Sequence, residues 1–357
     1  MKPDGGPLSR VLLIGSDHVW SLERIYLKYL EQEGLSIELF AAQNLFYEYN
    51  SRSIFNKLKL RAGVSGIYKS INEQVRSRIE RSMPEVVWVF KGMEVLPETL
   101  EWMRSRGIRS VNYNPDNPFI FSGRGSGNSH VTDSISLYDL HFTYNQEVKK
   151  RLEEEFHLRV SFLPFGFELA ENVFQSACRE PEIAGICFLG NPDTERAAVI
   201  KELTQAGIPI DLYGNGWAKF VDAHPLQRVF PAVYGDEFWN IMRRYRVQLN
   251  LMRRHNEHSH NMRSFEVPGI GGIMLAPSTP EHKMFFKDGE EAFLFSDLKE
   301  CVQKAKNILA LNKGDADEIR RRARQRSIND GYSYHHRAKT VLKQLQNLYA
   351  QARDHSF

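Results

Sequence analysis

Apolar positions along the chain fall into short runs separated by longer amphipathic stretches. The runs are β-branched or aromatic: "RVLLIGS" (10–16), "LSIELFAA" (35–42), "EVVWVFKG" (85–92), "RSVNYNP" (109–115), "LHFTYN" (140–145) and "RVSFLPFG" (159–166). Between them, residues 20–33, 54–82, 97–106 and 146–156 repeat their apolar positions at helical spacing. Strand and helix in alternation is the pattern of βαβ units, which require parallel strands with helices on both faces. The pattern pauses over 167–182 and then resumes with "GICFLGN" (185–191), a helix near 194–206, "IPIDLYG" (208–214), "VQLNLM" (247–252), a helix near 262–269, "GGIMLAP" (271–277) and "AFLFS" (292–296). After Asp297 the chain reads as helical. The expectation is an α/β protein of two Rossmann-like domains facing a central cleft. The first spans 1–168, a hinge 169–182 and the second 183–335, with a helical C-terminal tail over 336–357 that packs back on the first domain.

Composition narrows the class without deciding it. A chain of 357 residues with 42% hydrophobic and 25% charged residues is globular rather than disordered or fibrous. The 47 basic residues against 44 acidic leave +3, too small a bias to argue by itself for nucleic acid. Three cysteines, Cys178, Cys187 and Cys301, have no metal-ligand spacing and an odd count, which fits a reducing, cytoplasmic compartment. No apolar run approaches the roughly 20 residues that cross a bilayer, and "MKPDGGPLSR" carries no apolar signal core.

Ligands of open α/β sheets bind beyond the carboxyl ends of the strands, so chemistry is sought in the loops that follow them. In "FLGNPDTER", Gly190 and Asn191 precede a helix start whose free N–H groups suit a phosphate, with Arg196 nearby. The plainer reading is a strand-to-helix turn with a solvated Arg196. "DLYGNGW" places Gly214 and Gly216 around an asparagine ahead of Trp217, either as close backbone approach to a ligand or as a turn. Exposed amides beside Tyr234 suit a stacked nucleobase; a packed tyrosine is the alternative. "RRHNEHSHNMRSFE" gathers Arg253, His255, His258, His260 and Arg263 before a helix capped by Asn261 or Ser259, a combination that suits a diphosphate. HExxH spacing is absent and no DxD-like motif follows a strand, so no obligatory metal is expected. One turn into that helix stands Glu266, followed by Gly269, Gly271 and Gly272. An acid there either complements the helix dipole or accepts hydrogen bonds from both hydroxyls of a ribose.

The stretches "RSFEVPGIGGIMLA" (263–276), "TPE" (279–281), "FFKDGEEAFLFSD" (285–297) and "YSYHHRA" (332–338) resemble group-1-like glycosyltransferases of the spore-maturation CgeB type, over roughly 185–340. "FKGMEVLPETLEWMRSRGIRSVNYNPDNPF" (90–119) extends the resemblance more weakly. The resemblance implies a GT-B fold and a hexosyltransferase-like activity, with the second domain holding a sugar nucleotide and the first an acceptor. It matches Glu266 to the family's ribose-binding acid, Arg263 to the basic residue one turn ahead of it and the Gly190 loop to the phosphate-side turn. Retaining members of the larger group carry E-x7-E, but here His258 stands eight residues before Glu266, with Glu257 beside it, so the stereochemical outcome is not read from this motif.

On the acceptor side, Asp17 and His18 follow the first strand and Asp116 follows the fourth, each placed to take a proton or to cap a turn. Asp116 is the first choice, since its loop lies within the weaker part of the resemblance. The run 54–81 carries Lys57, Lys59, Arg61, Lys69, Arg76, Arg78 and Arg81 against Glu73 and Glu80, either a solvated helix face or a peripheral contact with anionic lipid. The expected function is transfer of a sugar from a nucleoside-diphosphate sugar, a UDP-sugar favoured, to a hydroxyl acceptor (saccharide, lipid-linked saccharide or protein) in surface polysaccharide or other glycoconjugate synthesis. No cofactor and no nucleic acid is expected. The rivals are a GT-B-shaped sugar-nucleotide epimerase and a non-catalytic nucleotide- or nucleic-acid-binding protein.

Overall fold

The computed structural model describes residues 8–121, 123, 125–256 and 258–354, which leaves Glu257 outside the described residues. The chain divides into two compact units, 1–164 with 334–357, and 165–333.

In the first unit the elements run β1 (Arg10–Ile14), α1 (Leu22–Gln32), β2 (Ser36–Phe40), α2 (Ala42–Arg52), α3 (Ile54–Arg61), α4 (Ile67–Ser82), β3 (Val86–Phe90), α5 (Pro97–Ser105), β4 (Arg109–Asn114), α6 (Ser129–Asp133), β5 (Leu140–Thr143), α7 (Gln146–Glu154) and β6 (Val160–Phe162). All pairings are parallel, in the order β2-β1-β3-β4-β5-β6. Alternation along the strands sorts the core by face. Leu12, Ile14, Val87 and Val89 pack with Ile71, Val75 and Ile79 of α4 and with Leu100 and Met103 of α5. Trp88 and Phe90 turn to the other face and meet Tyr26 of α1 at centroid distances of 5.2 and 6.1 Å. The expected single helix over 54–82 is two helices, α3 and α4, because Gly63 and Gly66 fall in the segment between them and Gly63 adopts φ +69°.

The second unit continues with α8 (Glu171–Arg179), β7 (Ile183–Leu189), α9 (Thr194–Gln205), β8 (Ile210–Tyr213), β9 (Gln227–Phe230), α10 (Gly235–Arg244), β10 (Tyr245–Leu249), α11 (Arg263–Gly269), β11 (Met274–Pro277), α12 (Pro280–Phe285), β12 (Phe293–Phe295), α13 (Leu298–Ala310) and α14 (Lys313–Asn329). Its sheet is also parallel, ordered β12-β11-β10-β7-β8-β9. Ile186, Phe188, Val247, Leu249 and Leu275 make its core with Ile200 and Leu203 of α9 and Ala305 and Ile308 of α13. Much of the stretch expected as a hinge is helical, since Val173 and Ala177 of α8 are buried. The last helix, α15 (Tyr334–Asp354), belongs to the first unit, where the Tyr334 ring meets Tyr26 at 5.8 Å and His335 bonds Glu33 at 3.2 Å.

Each sheet has one place where the chain reverses its direction of travel across the strands. In the first unit this lies between β1 and β3, and in the second between β7 and β10. Such switch points open a crevice at the carboxyl ends of the strands, because the flanking loops leave in opposite directions.

Candidate donor and acceptor sites

At the switch point of the second unit, the loops after β7 and β10 are tied by Arg196. This residue is buried, not the solvated helix residue of the plainer reading. Its Nη1 donates to the Asn191 carbonyl and its Nη2 to the Leu251 carbonyl, each at 2.9 Å, while its amide is capped by Asp193 at 2.9 Å. Burial lowers its pKa to about 10, Asp193 opposes this, and Arg253 and Arg263 lower it further. Three arginines therefore sense one another at this crevice, a charge distribution that an anion relieves.

Arg263 opens α11, pairs with Glu266 one turn on, and lies over the Phe238 ring at 4.4 Å. Its Nε is buried without a hydrogen-bond partner. Glu266 is only 7% exposed, so it is not an ordinary solvated residue complementing the dipole. Tyr234 stands one turn ahead of Phe238 and is exposed, on the α10 end that supports Arg263. Asn261 holds the start of α11. Its Oδ1 accepts from the Ser264 amide at 3.2 Å and its Nδ2 donates to Asn250 Oδ1 at 2.8 Å. Ser264 Oγ in turn accepts from Asn250 Nδ2 at 3.1 Å and bonds His282 Nε2 at 2.8 Å. His282 Nδ1 faces the Pro277 carbonyl at 2.7 Å, and burial lowers its pKa to about 4, so the ring is neutral, donates from Nδ1 and accepts from Ser264 at Nε2.

Two neighbouring loops are tied within the protein, the glycine turns after β7 and β8 and the histidine-rich loop before α11. Gly214 has its amide on the Phe230 carbonyl at 3.1 Å, and a Cβ there would stand 2.2 Å from the Gly190 carbonyl oxygen. That oxygen also accepts from Trp217 Nε1 at 2.9 Å, so Gly190 and Gly214 are glycines of a close loop-to-loop approach. Asn191 Oδ1 accepts from the Asn215 amide at 3.3 Å and joins the same contact. In the histidine-rich loop, His260 is fully buried, with the rings of Phe165, Phe265 and Phe285 against it. Its Nε2 accepts from the Phe165 amide at 3.2 Å and its Nδ1 bonds Glu281, which also accepts from Ser259 at 2.6 Å. Both ring nitrogens are thus engaged within the protein. His258 is exposed. The "TPE" segment supplies this buttress: Thr279 caps α12 through the His282 amide at 2.9 Å and places Glu281 under the loop.

The first unit builds its crevice from the loops after β1, β3 and β4. Lys91 and Gly92 both take positive φ, +56° and +97°, and this turn redirects the chain to bury Glu94. Lys91 Nζ pairs with Asp116 at 2.7 Å and donates to the Gly125 carbonyl at 2.8 Å, so it is a tie between loops. Asp17 pairs with Arg24 and receives its amide support from Asn44 at 2.9 Å. His18 is exposed, its Nδ1 accepting from the Trp20 amide at 3.3 Å. None of Asp17, His18 and Asp116 is buried.

The buried acids of this crevice, Glu94 and Glu23, carry no role in the sequence reading. Glu94 is 5% exposed, and burial raises its pKa to about 7; its own amide and Lys91 lower it and Glu23 raises it. Asn72 Nδ2 donates to the Glu94 carbonyl at 2.9 Å, and Asn72 Oδ1 in turn accepts from the Leu96 amide at 3.0 Å. Burial also raises Glu23, which accepts from the Ser16 amide at 2.8 Å. A Cβ on Gly15 would stand 2.4 Å from the Glu23 carboxylate, so Gly15 admits this acid. Glu94 lines a cavity of roughly 560 Å³ with Phe46, Tyr47, Lys57, Arg61 and Met93, within the size range of small-molecule sites. The signal for it in "KGMEVLP" was position alone: an acid in the loop after a strand that flanks the switch point.

Residues 196–343 match a family model described as glycosyl transferase-like. No curated protein sequence matches the chain. Among solved structures, a glycosyltransferase from Rickettsia africae ESF-5 superposes with a TM-score of 0.64 at 12% identity, covering 96% of this chain and 98% of that one. Sucrose-phosphate synthase from Thermosynechococcus elongatus gives 0.68 at 10% identity, covering 96% and 100%. The α,α-trehalose 6-phosphate synthase from Burkholderia multivorans gives 0.66 at 10% identity, covering 97% and 100%. At these identities the likeness is one of fold, the α/β GT-B architecture. Together with the family model it supports a glycosyltransferase.

Proposed function

We propose that this protein transfers a sugar from a nucleoside-diphosphate sugar, a UDP-sugar favoured, to a hydroxyl acceptor in glycoconjugate synthesis, in the manner of the CgeB-type enzymes its second half resembles. The observation that carries the reading is the cluster of Arg196, Arg253 and Arg263 beside the buried Glu266 at the switch point of the second unit. Arginines suit the diphosphate, whose charge grows as its bond to the sugar breaks, and Glu266 suits the two ribose hydroxyls. Tyr234 offers a ring for the base. Guanidinium groups would do the work of a metal at the leaving group, so none is required.

On the first unit, we assign the acceptor hydroxyl to Glu94 ahead of Asp116, Asp17 and His18. A carboxyl with a pKa near 7 is suited to take a proton at neutral pH, and Asp116 and Asp17 are already paired with cations. Thermal shift against a panel of sugar nucleotides, followed by donor hydrolysis with each ligand that stabilises, tests the reading. A protein stabilised by none of the sugar nucleotides would overturn it.

A further inference from the structure

Helix α3 (Ile54–Arg61) buries none of its residues. An isolated helix of this length is not stable in water, and packing of an apolar face normally sustains one. Here the apolar face points outward: Ile54 is 75% and Phe55 76% exposed, and Leu58 and, just beyond the helix, Val64 are exposed too. At about 100° per residue, Ile54, Leu58 and Phe55 form one stripe, bordered by Lys57 and Arg61 on one side and Lys59 on the other. The opposite face holds the helix to the protein, with Asn56 Nδ2 on the Tyr49 carbonyl at 2.8 Å and Leu60 lining the Glu94 cavity.

Charge around the stripe has one sign. Residues 49–72 contain Arg52, Lys57, Lys59, Arg61 and Lys69 and no carboxylate. Farther along α4, by contrast, Arg78 and Arg81 share an ion pair with Glu38. Aliphatic and aromatic tips between unopposed cations match the boundary of an anionic bilayer, where apolar side chains enter the acyl region and cations meet headgroup phosphates. Nucleic acid would satisfy the cations but leave Ile54 and Leu58 in water.

We infer that α3 docks the protein on an anionic membrane surface, and that the adjoining cavity lined by Lys57, Arg61, Tyr47 and Glu94 receives an acceptor held in that surface, a lipid-linked saccharide. The acceptor half rests on the proposed transferase function; the docking half does not.

Co-sedimentation of the full chain with vesicles tests it. Vesicles of phosphatidylcholine with about 30 mol % phosphatidylglycerol should carry the protein down and pure phosphatidylcholine should not, with binding weakened on raising salt from about 0.1 to about 0.5 M. Lys57→Glu/Lys59→Glu/Arg61→Glu should weaken partition on the order of 100-fold or more, from about five-fold per cation lost. Phe55→Asp/Leu58→Asp should weaken it by about 100-fold as well, through loss of apolar insertion. Both variants alter exposed positions, and unchanged sugar-nucleotide affinity by calorimetry shows that the fold and the donor site persist. Transfer of labelled sugar from the donor into the organic-extractable fraction of isolated membranes should fall in Phe55→Asp/Leu58→Asp. Failure of the wild type to sediment with anionic vesicles, variants that sediment as well as wild type, or preference for duplex nucleic acid over vesicles overturns the docking. Label entering water-soluble acceptors alone overturns the acceptor half. Loss of sugar-nucleotide binding with vesicle binding intact strikes the transferase reading instead.

Discussion

Replacing Glu94 by Gln should stabilise the protein at neutral and alkaline pH while removing transfer. Burial holds this carboxyl at a pKa of about 7 against an ordinary 4.5. At about 1.36 kcal/mol per pH unit, that displacement corresponds to about 3 kcal/mol. The sign follows from proton counting: between pH 4.5 and about 7 the folded protein holds a proton on Glu94 that the unfolded chain has released, so stability falls as pH rises and levels off above about 7. Buried His141 works against it in the same unit. Its pKa is lowered to about 4 from 6.5, so the unfolded chain binds the extra proton between those values and stability rises with pH. The two slopes nearly cancel in the wild type, and only the difference between wild type and Glu94→Gln isolates the carboxyl. Hydrogen exchange of the β3 amides, corrected for intrinsic rates, reads the stability of the first unit directly. The variant should match wild type near pH 4.5 and exchange about 100-fold more slowly near pH 8, while acceptor-dependent transfer falls with donor affinity retained. A stability gap independent of pH would refute the desolvated carboxyl, and transfer at the wild-type rate would refute its role with the acceptor.

Glu266→Ala removes the proposed ribose acceptor and should raise the sugar-nucleotide Kd about 100-fold, at about 1.5 kcal/mol for each of two hydrogen bonds to a charged group, as read by calorimetry. Gly214→Ala drives a methyl group to 2.2 Å from the Gly190 carbonyl oxygen and should cost about 1–3 kcal/mol of stability in chemical denaturation. His260→Ala removes a hydrogen-bond partner of the buried Glu281 and should cost about 1–3 kcal/mol, with a further loss of donor affinity as the loop before Arg263 loosens. His282→Gln should flatten the acid limb of the second unit's stability, because the native ring stays neutral down to about pH 4 and stability is lost as pH falls from 6.5 toward that value.

What the sequence made legible divides by the range of the interaction that decides each feature. Strands were readable because runs such as Val86–Phe90 are buried on both faces and must be apolar throughout. The parallel pairing of the strands, and with it the loops to inspect, follows from the βαβ alternation, whereas the order of the strands is given by the structure. Helix α8 resembles a linker in the sequence because its buried set is short, Val173 and Ala177, and ends before Pro181. The sequence leaves Arg196 open between a phosphate contact and a solvated helix residue because nothing local buries it; the carbonyl that holds its Nη2 belongs to Leu251, which follows another strand. His260 looked available to a ligand because its partner Glu281 lies 21 residues on. Glu94 carries no local signal, because an isolated acid in a loop is ordinarily a surface residue and only the turn at Lys91-Gly92 carries it inside. These residues share one property: each is a charged or titratable group whose environment is set by distant backbone, so its protonation and pairing are tertiary quantities. The pairing of Glu266 is the exception, since its partner Arg263 lies one helical turn away, where spacing alone brings the side chains together. The pairing of a charged residue is therefore visible in one sequence to the extent that its partners are local. The crevice of the first unit, whose buried acids Glu23 and Glu94 answer to burial across several loops, is read from the structure instead.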